Sequence, residues 1–380
     1  MSQRVCVIGG GVLGLSCARS LAALGVEGVT VLEQGHVGQG STSLAVGMVL
    51  RVQESALGQQ ISQRSYDLWE QLEAEGKVVL RRTGHISPVY STEGQAHVER
   101  LARLQESMGR VPFRIVPLED LKQWAPDYVP PTTAIAAVWD EHAMYVDGAE
   151  AAGALATDCR EAGVEVRTGT GLVGVEAGSG ARFSVTTTKG VVEADILVNA
   201  AGAWGAKVGD ILGAPVDVLN ERHEAYIFRI QGDHGPLPMM LDVLPGTSSE
   251  EGLYFRGEGD RHVIAGLHSS HLLGGLTEDP DSYSRRWTEA DMEKVFGMLT
   301  EALPHVDLGF ESAWAGLYPH HPNDYFVLGP HPADPHIFVG AGLGGRGLGP
   351  GPALGEILAE WIGLGSPRTI PEARGLAPTD

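Results

Sequence analysis

The chain has 380 residues, 43% hydrophobic and 20% charged, an ordinary soluble composition and enough chain for one large domain or two intertwined ones. A formal net charge of −21 repels phosphate backbones and anionic lipid headgroups, which argues against nucleic acid and membrane surfaces as partners. Cys6, Cys17 and Cys159 are too few and too scattered for a disulfide framework or a zinc pattern. No run reaches the ~18 apolar residues of a membrane span. Because the first strand starts at about Arg4, no signal peptide is expected, and the reading is a cytoplasmic protein.

Arg4–Ile8 (RVCVI) reads as a buried parallel strand, followed by Gly9–Gly14 (GGGVLG), a helix over Leu15–Leu24 and a strand over Val29–Leu32 that ends at Glu33. This is a βαβ unit. Ser55–Glu75 carries Leu57, Ile61, Leu68 and Leu72 at helical spacing. Residues 78–140 mix short strands with a polar helix. Ala151–Ala162 reads as a helix, and Val164–Val166, Phe183–Thr187 and Ile196–Ala200 as strands. Residues 220–310 alternate in the manner of strands, with one helix near Asp291–Leu303. A last core strand at Ile337–Val339 leads into Gly340–Gly351 and a helix over Pro352–Ile362. The pattern predicts an α/β chain, α+β overall. A discontinuous Rossmann-like nucleotide domain (1–85, 141–219 and 311–368) is joined to a strand-rich substrate domain (86–140 and 220–310), and 369–380 form a tail.

Gly9-x-Gly11-x-x-Gly14 carries the chemistry of the first unit. Gly9 permits the tight turn, Gly11 lets a pyrophosphate approach the backbone, and Gly14 lets helix and strand pack closely. The helix start offers free N–H groups and the positive dipole end to phosphate. Glu33, ~20 residues on, suits ribose hydroxyls and opposes a 2′-phosphate. The fingerprint alone leaves NAD and FAD open.

Three further segments narrow the choice: Gly38–Val46 (GQGSTSLAV), Ile196–Trp204 (ILVNAAGAW) and Gly340–Gly347 (GAGLGGRG). With the fingerprint, their order from about residue 4 to 363 resembles the D-amino-acid-oxidase superfamily of flavoproteins. The resemblance implies bound FAD. It places Gly9, Gly11, Val12, Leu13, Gly14, Glu33 and Gln34 around the adenylate and pyrophosphate. Ser41, Thr42, Leu172, Ala201, Gly202 and Trp204 fall along the middle, and Gly342, Gly344, Gly345, Arg346, Gly347 and Leu348 beside the flavin. Donors aimed there stabilise the charge that grows on reduction.

Trp314-Ala315-Gly316-Leu317-Tyr318, Asn323-Asp324 and Val327-Leu328-Gly329 resemble another stretch of this superfamily. With the Gly40–Arg51 loop, they are most similar to the sarcosine oxidase, L-proline dehydrogenase and dimethylglycine-type branch. The resemblance implies Arg51 as the carboxylate anchor, with Arg256 as an alternative. It implies Tyr254, His268 and Tyr318 as substrate contacts, and His320 and His321 as residues within reach of the pocket. A guanidinium suits a carboxylate because two parallel N–H donors match it. The branch's flavin-linking cysteine is here Gly316, and Thr42, Ser43 and Leu44 stand where relatives attach flavin through histidine, so FAD is expected to be non-covalent. Its oxygen-activating lysine falls at Ile264, and Gly349 replaces a second carboxylate partner. No metal is expected.

The expected reaction is oxidation of the C–N bond of a small amine or amino acid, with oxygen or another electron acceptor. Two alternatives stay open: a 2-hydroxy-acid dehydrogenase, and a flavin-binding assembly protein, since Gly329-Pro330-His331-Pro332 resembles mitochondrial flavoproteins with such roles. Oligomeric state is not legible.

Overall fold

The computed structural model describes residues 3–53, 55–232, 235–242, 251–269, 278–323 and 325–379. A six-stranded sheet runs in the order Val327–His331, Asp334–Ala341, Ile196–Asn199, Val5–Ile8, Val29–Leu32, Glu165–Arg167. All neighbours are parallel except the outermost pair, 327–331 with 334–341. Strands in such sheets are covered on both faces, so VCVI and ILVN are apolar and buried almost throughout.

Successive side chains point to opposite faces. Val5 and Val7 join the helices Val12–Ala23, Gly148–Glu161 and Gly351–Leu364 in one core. Cys6 and Ile8 join Val208 and Leu212 of the Gly205–Leu212 helix and a three-stranded antiparallel sheet on the other side. Two strands of that sheet, Leu172–Ala177 and Gly190–Ala194, are not evident in the sequence, because they are half-exposed and carry no long apolar run. The first helix begins at Val12, three residues before its expected start. The long helix spans Ala56–Ala74, and the Ser55 hydroxyl caps it by accepting from Gly58 N–H at 3.0 Å.

A second sheet of eight strands contains Leu308–His320, Leu219–Ile230, His262–Ser269 and Glu251–Glu258 as successive neighbours, continuing through Met239–Leu241 to His85–Val89, Ala136–Asp140 and Arg114–Val116. Tyr226, Phe228 and Phe255 turn to its far face and bury with Val295 and Leu299 of the helix Glu289–Ala302. Leu308–His320 lies wholly in this sheet, so the chain returns to the nucleotide layer after residue 320 rather than at 311. Hydrogen bonds tie the layers, two of them between the 41–44 turn and the strand Leu308–His320. Ser41 Oγ donates to the Leu317 carbonyl at 2.8 Å, and Trp314 Nε1 donates to the Leu44 carbonyl at 2.8 Å.

Arg51 does not face the space between the layers. It is 4% exposed and makes a bidentate ion pair with buried Asp140, with Nε to Oδ2 at 3.0 Å. Its Nη1 donates to the Val111 carbonyl at 3.0 Å, and the guanidinium lies over the Tyr66 ring. Leu50 and Val52 line the cavity, and Arg51, at a bend between them, does not.

Two predictions follow from these contacts. Arg51→Ala strands a buried carboxylate and should destabilise the protein by ~3–5 kcal/mol in urea unfolding; unchanged stability with weakened carboxylate-ligand binding would return Arg51 to the site. A Cβ on Gly355 would lie 2.5 Å from Ser16 Cβ and 2.6 Å from Cys17 N, whereas one on Gly153 meets nothing. Gly355→Ala should therefore destabilise by ~1–3 kcal/mol and Gly153→Ala stabilise by ~0.5–1 kcal/mol, compared by thermal melting.

Candidate active site

The strand Val5–Ile8 runs into a turn that only glycine fits. Gly9 has φ 119°, and a Cβ there would lie 2.3 Å from the Ala200 carbonyl oxygen. A Cβ on Gly14 would lie 2.0 Å from the Gly9 carbonyl oxygen, so Gly14 serves the packing of helix on strand and does not line the cavity. The helix start carries no side-chain cap of its own; Val12 N–H donates to Thr42 Oγ1 at 3.1 Å. Glu33 accepts from Gly10 N–H at 2.9 Å and from Gly35 N–H at 2.7 Å, so it braces both loops as well as lining the cavity.

From this turn a cavity of about 670 Å³ extends between the two sheets. Glu33, Gln34 and Leu172 line one end. Gly9, Gly11, Val12, Leu13, Ser41, Thr42, Ala201, Gly202 and Trp204 line its length, with Gly342, Gly344, Gly345, Arg346, Gly347 and Leu348 further along. Every expected cofactor residue except Gly14 is therefore on its wall. The wall suits a dinucleotide. A helix N-terminus without its own side-chain cap and with close backbone approach meets the anionic part, and an acid stands where a ribose would lie. The three cysteines are buried in the core and do not line the cavity. Burial pushes the Cys6 and Cys159 thiols up to about 12.

One face of the eight-stranded sheet closes the far end. The register puts Ala225 opposite both Gly266 and Trp314, Tyr254 opposite Gly266, and Glu221 opposite Tyr318. Residues two apart share a face, so Tyr254, His268, His223 and Tyr318 all reach the cavity. Gly266 makes room for Tyr254: a Cβ there would lie 2.4 Å from the phenol oxygen. His223 stacks on Tyr318 with centroids 3.9 Å apart at 20°, and His268 meets the same ring edge-on at 5.6 Å. A Cβ on Gly345 would lie 2.3 Å from the Tyr318 ring, so the C-terminal glycine turn packs directly on it.

Burial, then the nearby Arg346 guanidinium and the His223 and His320 rings, push His268 down to about 3. It is a neutral ring throughout the working pH range. Burial holds the phenols of Tyr254 and Tyr318 above their ordinary value, so both keep their O–H.

Other expected contacts are displaced. Arg256 is buried with Nε on the Val46 carbonyl at 2.6 Å and its guanidinium over Tyr145, and it does not line the cavity. His320 and His321 lie outside the wall: His321 accepts from Asn323 N–H, and His320 turns toward Glu221. Ile264 is buried and off the wall. Asp324 lies outside the described residues. The cations on the wall are instead Arg346, Lys207 and Arg285. Lys207 is held at the rim by Asp279 and Asp281, and Trp204 Nε1 also donates to Asp281. His223 was not legible, because its place depends on strand register; Glu221-x-His223 reads as an ordinary polar alternation.

Residues 4–361 match the family model "DAO: FAD dependent oxidoreductase". The chain is 27% identical over 370 residues to glycine oxidase of Bacillus licheniformis, covering 95% of this chain and 93% of that protein. It is 25% identical over 373 residues to the mitochondrial pyruvate dehydrogenase phosphatase regulatory subunit of Mus musculus, spanning 42% of that longer protein. The structure of L-proline dehydrogenase from P. horikoshii superposes with a TM-score of 0.83 at 25% identity, covering 99% of both chains. Among the described residues no helix is long and apolar enough to cross a membrane. Cavity, fold and family match agree, and the chain belongs to the DAO family of FAD-dependent oxidoreductases.

Proposed function

We propose that this protein oxidises the C–N bond of a small amine or amino acid, most readily an N-alkyl or cyclic one, using non-covalent FAD. The observation that carries the reading is the group Tyr254, His268 and Tyr318 on one sheet face, with Arg346 on the opposing glycine turn of the same cavity. Similarity to glycine oxidase and to L-proline dehydrogenase supports an amine rather than a hydroxy acid.

Bound FAD would supply a two-electron acceptor for the substrate's α C–H, and the oxidised product would be an imine open to hydrolysis. The protein places and selects. Arg346, whose charge adds to burial in lowering the His268 pKa, holds the substrate carboxylate in the role expected of Arg51. Neutral His268 orients the substrate amine by a hydrogen bond, and the nearby Arg346 charge favours the amine's uncharged form. The protonated phenols of Tyr254 and Tyr318 donate hydrogen bonds and keep water from the reacting carbon. The buried thiols and the glycine at residue 316 support non-covalent attachment.

Anaerobic bleaching of the yellow protein tests the reading against N-methyl amino acids, cyclic imino acids, D- and L-amino acids and 2-hydroxy acids. Bleaching by an amine class is expected; bleaching by hydroxy acids alone overturns it. Flavin that no member reduces would favour a binding role, as in the regulatory subunit the chain resembles. An ammonium lacks the lone pair that drives C–H transfer, so kcat/KM should rise with pH over roughly 7–9. His268→Gln should leave that limb in place, because His268 titrates near 3. Arg346→Gln should raise KM for carboxylated substrates by ~10–100-fold, the loss of a charge-assisted hydrogen bond.

A further inference from the structure

Beside Tyr318, three ligating side chains converge from two neighbouring strands. Glu221 and His223 lie two residues apart on one face of Leu219–Ile230, and His320 ends Leu308–His320. The register that sets Glu221 opposite Tyr318 brings His320 diagonally beside it. His223 Nε2 lies 2.8 Å from Glu221 Oε2, and His320 Nε2 lies 3.3 Å from the same oxygen. One donor atom from each residue lies within 4.8 Å of the others. The side chains are 13%, 11% and 5% exposed, in the order Glu221, His223, His320.

Two details give the cluster a chemical direction. His223 Nδ1 is 3.2 Å from the Leu267 carbonyl, which can only accept. That ring nitrogen therefore carries a proton, and the ring presents Nε2 to Glu221, as a metal-bound histidine is held by a backbone carbonyl behind it. His320 Nε2 is fully buried, makes no hydrogen bond and is aimed at the same carboxylate. Imidazole lone pairs directed at a carboxylate repel it unless a proton or a metal ion stands between them. Ligands each ~2.0–2.2 Å from a metal ion sit roughly 3 Å from one another, and both histidine nitrogens lie at such a spacing from the Glu221 oxygen, 2.8 and 3.3 Å. Sequence spacing hides this group, because the acid reaches the histidine across a strand pair rather than along the chain.

We propose that Glu221, His223 and His320 bind one divalent transition-metal ion of the Zn²⁺ class. Two imidazoles and one carboxylate are a donor set for zinc, cobalt or iron rather than for magnesium or calcium. Three protein ligands leave coordination open to water, and His223 places the ion at the cavity wall behind the Tyr318 ring. The site fixes a positive charge beside the substrate end of the cavity.

The test uses tag-free, flavin-loaded protein stripped with a chelator and titrated with Co²⁺. One equivalent should bind, with d–d absorption to the red of the flavin bands, and Zn²⁺ should displace it. His320→Gln and Glu221→Gln should each weaken binding by at least ~10-fold, while His142→Gln, at an exposed histidine, should not. Retained yellow colour and melting temperature show that the variants fold. Absence of stoichiometric Co²⁺ binding by the unaltered protein overturns the proposal whatever the variants do, as does equal binding by folded His320→Gln. In either case the cluster shares protons instead.

Discussion

The structure depends on how closely the first strand and the first helix approach each other. With the Gly9 carbonyl 2.0 Å from where a Gly14 Cβ would stand, strand and helix meet without a side chain between them. That contact sets the direction of the helix start and so where its free N–H groups point. Glu33 then fixes the neighbouring loops through Gly10 and Gly35, and Thr42 reaches Val12 from the next segment. A methyl group at residue 14 would not merely crowd a turn. It would tilt the element from which the nucleotide end of the cavity is built.

The same device recurs at the substrate end. Gly266 lets Tyr254 lie across its strand, and Gly345 lets the C-terminal turn rest on Tyr318. Small residues at sheet and turn positions thus bring aromatic and polar groups to within van der Waals distance of backbone. The last helix packs through Gly351 on Val12 and through Gly355 on Ser16 and Cys17, so both glycine clusters are anchored by one helix pair. Clustering of glycine near the chain ends has its physical origin there.

The parallel core and the cofactor wall could be read from sequence because both are local. Buried parallel strands are apolar runs, and a glycine turn followed by a helix needs no partner to be recognised. Gln34, Leu172 and Leu348 line the cavity. What could not be read depends on which strand lies beside which. Arg51 is of the expected residue type, but the bend after Val49 leaves it facing Asp140. His223 and Glu221 acquire meaning only when the pairing of 219–230 with 308–320 places them beside Tyr318 and His320. The half-exposed strands 172–177 and 190–194 lack the burial that would have marked them.

The hydrogen bonds between the layers, Arg256 to the Val46 carbonyl and Asn220 to the Ala203 carbonyl among them, bear on how molecules reach the cavity. Ser41 donates into one sheet and Trp314 donates back out of it, each to a backbone carbonyl in a half-buried setting. Swinging one layer away from the other would break these bonds together, at a net ~0.5–1.5 kcal/mol each. The rim at Lys207, Asp279 and Asp281 is held by ion pairs about half-exposed to water, which solvent screening weakens. Traffic therefore favours a narrow door over a hinged jaw. Reactant and product would pass by side-chain rearrangement at the rim while the two sheets keep their distance, and the rate of passage would respond to salt more than to the stiffness of the fold.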